Sequence, residues 1–377
     1  MPFFFAGDSR RRGGESRMKL RHGACAAFAL LLLLPRPVAF SQQNPETQAP
    51  PIQVRVNLVA VGVIVTDADG KFVRGLRHED FALSDDGVAQ SIGYFALDQP
   101  SHVLFLIEAG PAVYLVEGGH LSAAFGLLKG LSQDDQVAVV KYAERPEAIC
   151  DFSSDKQIAA SALEHLHFNL GFGALNLSDS MASVLDWLDK TQGQKTIVLL
   201  SSGVDTSASE TASALLQRLR IGGVRVLAVS LAGELRPSAP GKKKQAPSAA
   251  AVASAQQFAA ADEVLRQLAT ATGGRAYFPV DAKGFDAAFA EIAQIVRNEY
   301  VLGFSPRELD GKVHRIEVHV TRNDAQTGGS SAERNATGLR VDHRWGYLAR
   351  PVETPMHDRI GGITEHDPTE EVAGRIP

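Results

Sequence analysis

The chain has 377 residues, of which 45% are hydrophobic and 21% charged, an ordinary globular balance that sets disorder aside as the default. At the usual ~100–200 residues per domain, about two domains fit. The net charge is −5, and no basic face is clustered along the chain, which excludes electrostatic nucleic-acid binding as its organising role.

Taken from the N-terminus, a basic stretch through Arg21 leads into an apolar run from Ala24 to Leu34, closed by Pro35 and Pro37. That run is too short for a bilayer span, which needs ~20 residues, and suits the core of a secretory signal peptide. Small residues at Ala39 and Ser41 predict cleavage before Gln42, so residues 1–41 read as a signal peptide and Met18 is an alternative start. Removing that segment, with its seven basic and two acidic side chains, takes the net charge from −5 to −10. The expectation is an exported protein (periplasmic, cell-surface or extracellular) with no stable membrane span after cleavage. Cys25 leaves with the signal and has no Leu three residues before it, against a lipoprotein signal. Cys150 is then alone and cannot make an intrachain disulfide; it reads as a small buried hydrophobe.

Residues 42–53 are a polar, proline-bearing linker. Residues 54–98 form a β-rich segment. It opens with the β-branched run through Val65, turns at Asp67-Ala68-Asp69-Gly70, and continues in a short strand at 71–73. The arrangement repeats at Phe81–Ser84, Asp85-Asp86-Gly87 and Ser91–Leu97.

From residue 99 strands alternate with helices. Val103–Ile107 is wholly apolar, as in a strand covered on both faces. Helices are expected at about 120–131, 156–167, 178–190, 209–221, 261–271 and 284–297. Strands are expected at 136–142, 147–152, 195–200, 224–230 and 275–278. Gly222-Gly223 stops the fourth helix. This alternation predicts an α/β domain over 99–298 with a doubly wound, mostly parallel sheet. Residues 233–257, rich in Ala, Pro, Ser and Lys, read as a flexible insertion whose Lys242-Lys243-Lys244 is a solvated face. A second β-rich segment covers 299–348, with strands at Glu299–Phe304, Arg315–Thr321 and Leu339–His343 and a polar loop carrying the sequon Asn335-Ala336-Thr337. Residues 349–377 are a polar tail. The two β-rich flanks can pair into one module, because the ends of a domain often lie together.

Three segments of the α/β region resemble the von Willebrand factor type A (vWA) domain. Phe105-Leu106-Ile107-Glu108-Ala109-Gly110-Pro111-Ala112 stands where that family carries Asp-x-Ser-x-Ser after a buried strand. Gly173-Ala174-Leu175-Asn176-Leu177 resembles its Gly-x-Thr-x-Leu loop. Ile197–Leu200 followed by Ser201-Ser202-Gly203 resembles its Leu-Leu-Ser-Asp-Gly loop. The flanks are similar to those of vWA-related proteins exported by Acidobacteria: Val65-Thr66-Asp67, Gly70-Lys71, Asp80-Phe81 and Asp86-Gly87 on one side, Tyr300–Pro306 and Arg344-Trp345-Gly346-Tyr347 on the other. The likeness covers about residues 54–348.

In that family Asp, two Ser, a Thr and a second Asp hold a divalent cation at a metal-ion-dependent adhesion site. Here the corresponding positions are Glu108, Gly110, Ala112, Leu175 (or Gly173 or Ala174 in its place, none with a side-chain oxygen) and Ser202. Three lack a side-chain oxygen, and a hard cation such as Mg²⁺ wants near-octahedral oxygens. The expectation is no metal and no cofactor. Glu108, Gly110, Pro111, Ala112, Leu175 and Ser202 instead become the rim that meets a protein partner, at the end of the sheet where ligands of open sheets dock.

Competing chemistry is weaker. A rearranged cation site using Glu108 and Asp205 would make a divalent-cation-dependent adhesin. Asp67–Gly70 resembles the start of a calcium loop without its later Glu, and a β-turn explains it more simply. His165 and His167 point apart on a helix, and His314 and His319 have opposite parity in a strand, so neither pair is a ligand set. No hydrolase signature is present, and Ser202 or Cys150 as a nucleophile has no base assigned by sequence. The chain reads as a non-catalytic binding or scaffold protein.

Overall fold

The computed structural model describes residues 58–110, 119–166, 173–233, 249–321 and 339–350. The predicted signal peptide and linker, Pro111 and Ala112, His167, the three-lysine segment, the sequon and the tail from 351 lie outside the described residues.

The centre is a six-stranded sheet. Its strands are β5 (Ser101–Glu108), β6 (Gln136–Tyr142), β7 (Pro146–Ser153), β8 (Gln194–Ser201), β9 (Val224–Ser230) and β10 (Ala276–Tyr277), in the order β10-β9-β8-β5-β6-β7. All neighbours are parallel except β6 and β7, which are antiparallel with a bulge near Val139. The apolar run of β5 is explained by its two covered faces. Val103, Phe105 and Ile107 enter one core with helices α1 (Gly119–Gly130), α2 (Lys156–Glu164) and α6 (Ala282–Arg297). Leu104 and Leu106 enter the other with α3 (Leu177–Leu188), α4 (Ser209–Ile221) and α5 (Ala249–Thr270). The expected doubly wound α/β architecture is therefore present, with three helices to a face among the described residues.

Four strands precede this unit: β1 (Val59–Thr66), β2 (Phe81–Asp85), β3 (Val88–Gln90) and β4 (Tyr94–Leu97). Four follow it: β11 (Tyr300–Phe304), β12 (Val313–Val320), β13 (Arg340–His343) and β14 (Gly346–Leu348). They interleave into two four-stranded antiparallel sheets, β13-β1-β11-β4 and β14-β12-β2-β3. Val61, Val63 and Val65 of β1 and Leu302 and Phe304 of β11 meet Leu83, Ile316 and Val318 in the core between them. The alternate residue Ile64 turns the other way into the α/β core, as a strand period of two requires. The N- and C-terminal flanks thus form one sandwich.

Sandwich and α/β unit are joined by buried charge. Arg225 of β9 meets Glu299 at 2.7 Å, with side chains 5% and 9% exposed, and also donates to the Gly62 carbonyl of β1. Arg275 bridges Glu291 of α6 and Asp342 of β13.

Several boundaries differ from expectation. α5 begins at Ala249, so residues 249–257 are helical rather than part of a flexible insertion; an alanine-rich stretch is a strong helix former even when its composition looks simple. The strand expected at 71–73 reduces to one bridge, Thr66 with Phe72, because the Asp67–Gly70 turn is followed by only one paired residue. Gly222 does stop α4, but with φ −73° and ψ 157° it leaves in an extended conformation rather than a left-handed cap.

Candidate functional site

The strand order reverses direction between β5 and β8: after β5 the chain adds β6 and β7 on one side, then crosses to β8 and β9 on the other. The crevice at the C-terminal ends of such diverging strands is where open α/β sheets bind ligands. Glu108 ends β5 and Ser201 ends β8, so both flank this crevice.

Glu108 is fully buried. One carboxyl oxygen, Oε2, accepts from the Ser202 backbone N–H at 2.7 Å, the Ser202 hydroxyl at 2.8 Å and the Ser201 hydroxyl at 3.1 Å. The Tyr142 hydroxyl, at the end of β6, lies 3.3 Å from the same oxygen and 2.7 Å from Ser201 Oγ. A phenol has one proton to donate, and the shorter bond goes to Ser201. The order is therefore Tyr142 to Ser201 to Glu108. Ser201 Oγ also accepts from the Gly203 N–H. Among the described residues, the other carboxyl oxygen, Oε1, is buried without a hydrogen-bond partner. Burial pushes the Glu108 carboxyl above the usual carboxylate range, opposed by the bonds from Ser202, Ser201 and Tyr142. Burial raises the Tyr142 hydroxyl further still, with the adjacent Glu108 charge acting the same way.

Leu175 closes the site. A β-carbon on Gly110 would lie 2.6 Å from Leu175 Cδ2 and 3.5 Å from Glu108 Oε1, so a leucine methyl covers Gly110. Leu175 is held by its backbone: its N–H donates to Thr206 Oγ1 at 2.9 Å and its carbonyl accepts from the Thr206 N–H at 2.8 Å. Thr206 Oγ1 donates to Asn176 Oδ1, and Asn176 is tied to the carbonyls of Ala143 and Glu144. The loops after β6, before α3 and after β8 are thereby laced together.

The structure brings Glu108 together with Ser202, and Gly110 together with Leu175. Asp205 does not join them. Its carboxylate binds the Ser178 hydroxyl and N–H in the first turn of α3, and the Ser207 N–H at 3.0 Å. Tyr142 and Ser201 were missed. Ser201 adjoined a residue already chosen, but Tyr142 enters only through the pairing of β5 with β6, where Glu108 sits opposite Tyr142.

These residues do not fit a hydrated divalent cation, which needs about six oxygens near 2.1 Å. Gly110 and Leu175 offer no side-chain oxygen, and Glu108 Oε2 already accepts three bonds. A nucleophile at Ser202 is equally poorly served: its hydroxyl donates to a buried carboxyl, and it is itself 4% exposed. Cys150 is half-buried, and burial raises its thiol, the opposite of the activation a reactive cysteine needs.

Residues 120–204 match the family model of the von Willebrand factor type A domain. Among solved structures, the chain is similar to a von Willebrand factor type A protein from Catenulispora acidiphila, with 11% identity, 78% of this chain and 75% of that one covered, and a TM-score of 0.41. It is also similar to the conserved hypothetical protein BatB from Bacteroides thetaiotaomicron, at 14% identity, 53% and 100% coverage and a TM-score of 0.38. A third is proximal thread matrix protein 1 of the mussel byssus with a zinc-occupied MIDAS motif, at 12% identity, 54% and 49% coverage and a TM-score of 0.37. No curated protein matches.

Proposed function

For a chain that carries a von Willebrand factor type A domain, we propose a non-catalytic protein-interaction role in which the partner docks without a bridging divalent cation. The docking surface lies around Leu175 at the end of the sheet, with Glu108, Gly110 and Ser202 buried beneath it; Pro111 and Ala112, read from the sequence as part of the same rim, lie outside the described residues. The observation that supports this reading is the Leu175 side chain packed against Gly110, which sets a methyl group rather than an oxygen at the mouth above the buried Glu108. A cation-dependent adhesin built on Glu108 and Asp205 draws no support from the geometry, since Asp205 is occupied by Ser178 and Ser207.

Export is proposed from the basic and apolar pattern of residues 1–41, which places the domain in the periplasm, on the surface or outside the cell. Among the described residues no helix is long and apolar enough to cross a membrane.

The test is partner capture by the wild-type chain and by Leu175→Asp, each in EDTA and again after Mg²⁺ is added back. Capture that is indifferent to EDTA and lost in Leu175→Asp is expected. Capture lost in EDTA and restored by Mg²⁺ through Glu108 would sink the reading.

A further inference from the structure

A second cluster of chemistry lies in the sandwich, away from the rim. Asp85 ends β2, Asp86 follows it in the β2–β3 turn, and His314 is the second residue of β12. His314 Nδ1 lies 2.9 Å from Asp86 Oδ2 and 3.5 Å from Asp85 Oδ1. One ligand atom from each of the three residues can be chosen so that all lie within 4.8 Å of one another. Asp85 Oδ1 is buried with no hydrogen-bond partner among the described residues, on a side chain only 8% exposed. A buried carboxylate oxygen without a donor is costly, and this one points at the imidazole nitrogen and the second carboxylate.

The atoms turned away from that point are all held. Asp85 Oδ2 accepts from the Tyr347 hydroxyl at 2.8 Å. Asp86 Oδ1 accepts from the Arg315 N–H at 2.8 Å. His314 Nε2 lies 3.1 Å from Asp310 Oδ1, and its ring stacks on Tyr347 with centroids 5.4 Å apart. Metal-bound histidines usually give their second ring N–H to a carboxylate, which fixes the tautomer and the ring plane. Asp310 is placed to do this, so that a cation arriving between Nδ1 and the two carboxylate oxygens would displace the Nδ1 proton and take its place.

We propose that Asp85 Oδ1, Asp86 Oδ2 and His314 Nδ1 bind a first-row divalent cation of the zinc class, oriented by Asp310, Tyr347 and the Arg315 N–H. Mixed imidazole and carboxylate ligands suit such an ion better than Ca²⁺ or Mg²⁺. Bonds of about 2.0 Å in a tetrahedron put ligand atoms about 3.3 Å apart, between the 2.9 and 3.5 Å found here. Asp86 is 54% exposed on its side chain, which leaves room for water as a fourth ligand. The ion would tie the N-terminal flank of the sandwich to its C-terminal flank across a separation of more than two hundred residues, and so act on stability rather than at the rim.

The experiment is Zn²⁺ titration of the purified chain by calorimetry, with His314→Ala, Asp85→Asn and Asp310→Asn compared. X-ray absorption of the loaded wild type counts its ligands. One equivalent is expected to bind the wild type and raise its melting temperature. His314→Ala and Asp85→Asn should lose it, and Asp310→Asn should weaken it about 10–100-fold. Absorption should show one imidazole nitrogen with oxygens and no sulfur, a readout that stands even if a variant fails to fold. Zn²⁺ binding that survives His314→Ala, a sulfur ligand from Cys150, or no binding by the wild type overturns the proposal.

Discussion

The Leu175 side chain lies over Gly110, its Cδ2 atom 2.6 Å from where a β-carbon on that glycine would sit. The two residues stand at positions that resemble the Thr and Ser of the vWA pattern, and neither carries a side-chain oxygen here. Gly110→Ala should therefore force Leu175 aside and destabilise the chain by about 1–3 kcal/mol, the usual range for overpacking. In Leu175→Ala the same substitution should cost less, with a coupling of at least about 0.5 kcal/mol between the two. Denaturant melts of the four proteins measure this; strictly additive effects would show that the contact carries no energy.

Glu108→Gln keeps the shape of the carboxyl and can still accept from Ser202. Burial raises the Glu108 carboxyl in the folded protein, so its contribution to stability is present below the unfolded pKa near 4.5 and is lost as pH rises through the raised folded value. The variant lacks that loss. Its stability relative to wild type should improve as pH rises through this window, by up to about 1.4 kcal/mol per pH unit. A stability difference that is flat from pH 4 to pH 8 would contradict a raised carboxyl.

The junction between sandwich and α/β unit rests on the Arg225–Glu299 pair, both side chains buried. Glu299→Ala leaves the guanidinium without its carboxylate and should cost about 3–5 kcal/mol, whereas Arg225→Met with Glu299→Leu should cost much less. A β-carbon on Gly62 would collide with the Glu299 carboxylate, so Gly62→Ala should also destabilise in a Glu299-dependent way. Thermal unfolding of these variants decides it; a negligible effect of Glu299→Ala would remove the pair from the account.

Export predicts a mature N-terminus at Gln42. N-terminal sequencing of the protein recovered from the exporting host should read Gln42-Gln43-Asn44; an intact Met1 or Met18 terminus would contradict cleavage.

Much of the α/β unit was legible because parallel strands covered on both faces write themselves as unbroken apolar runs. Val103–Ile107 and Val224–Ser230 are examples. Glu108, Gly110 and Ser202 were singled out by their likeness to the vWA loops that follow such runs. Tyr142 was not, since its approach to Glu108 depends on the β5–β6 register rather than on any spacing along the chain. The first turns of α5 were hidden by simple composition that in fact favours a helix. His314 shows the limit most clearly. Strand parity correctly separated it from His319, yet its partners Asp85 and Asp86 come from another strand far earlier in the chain and had been read only as a turn.

The cation-independence of the rim is tested most directly by the melting temperature of the purified chain in rising Mg²⁺, with Glu108→Ala measured alongside. Mg²⁺ is the right probe because it suits an all-oxygen site and not the histidine-bearing cluster of the sandwich. The account predicts no shift in either protein. A saturable rise in the wild type that vanishes in Glu108→Ala would mean that Leu175 yields its place to a metal, and the rim would then be a cation-dependent adhesion site.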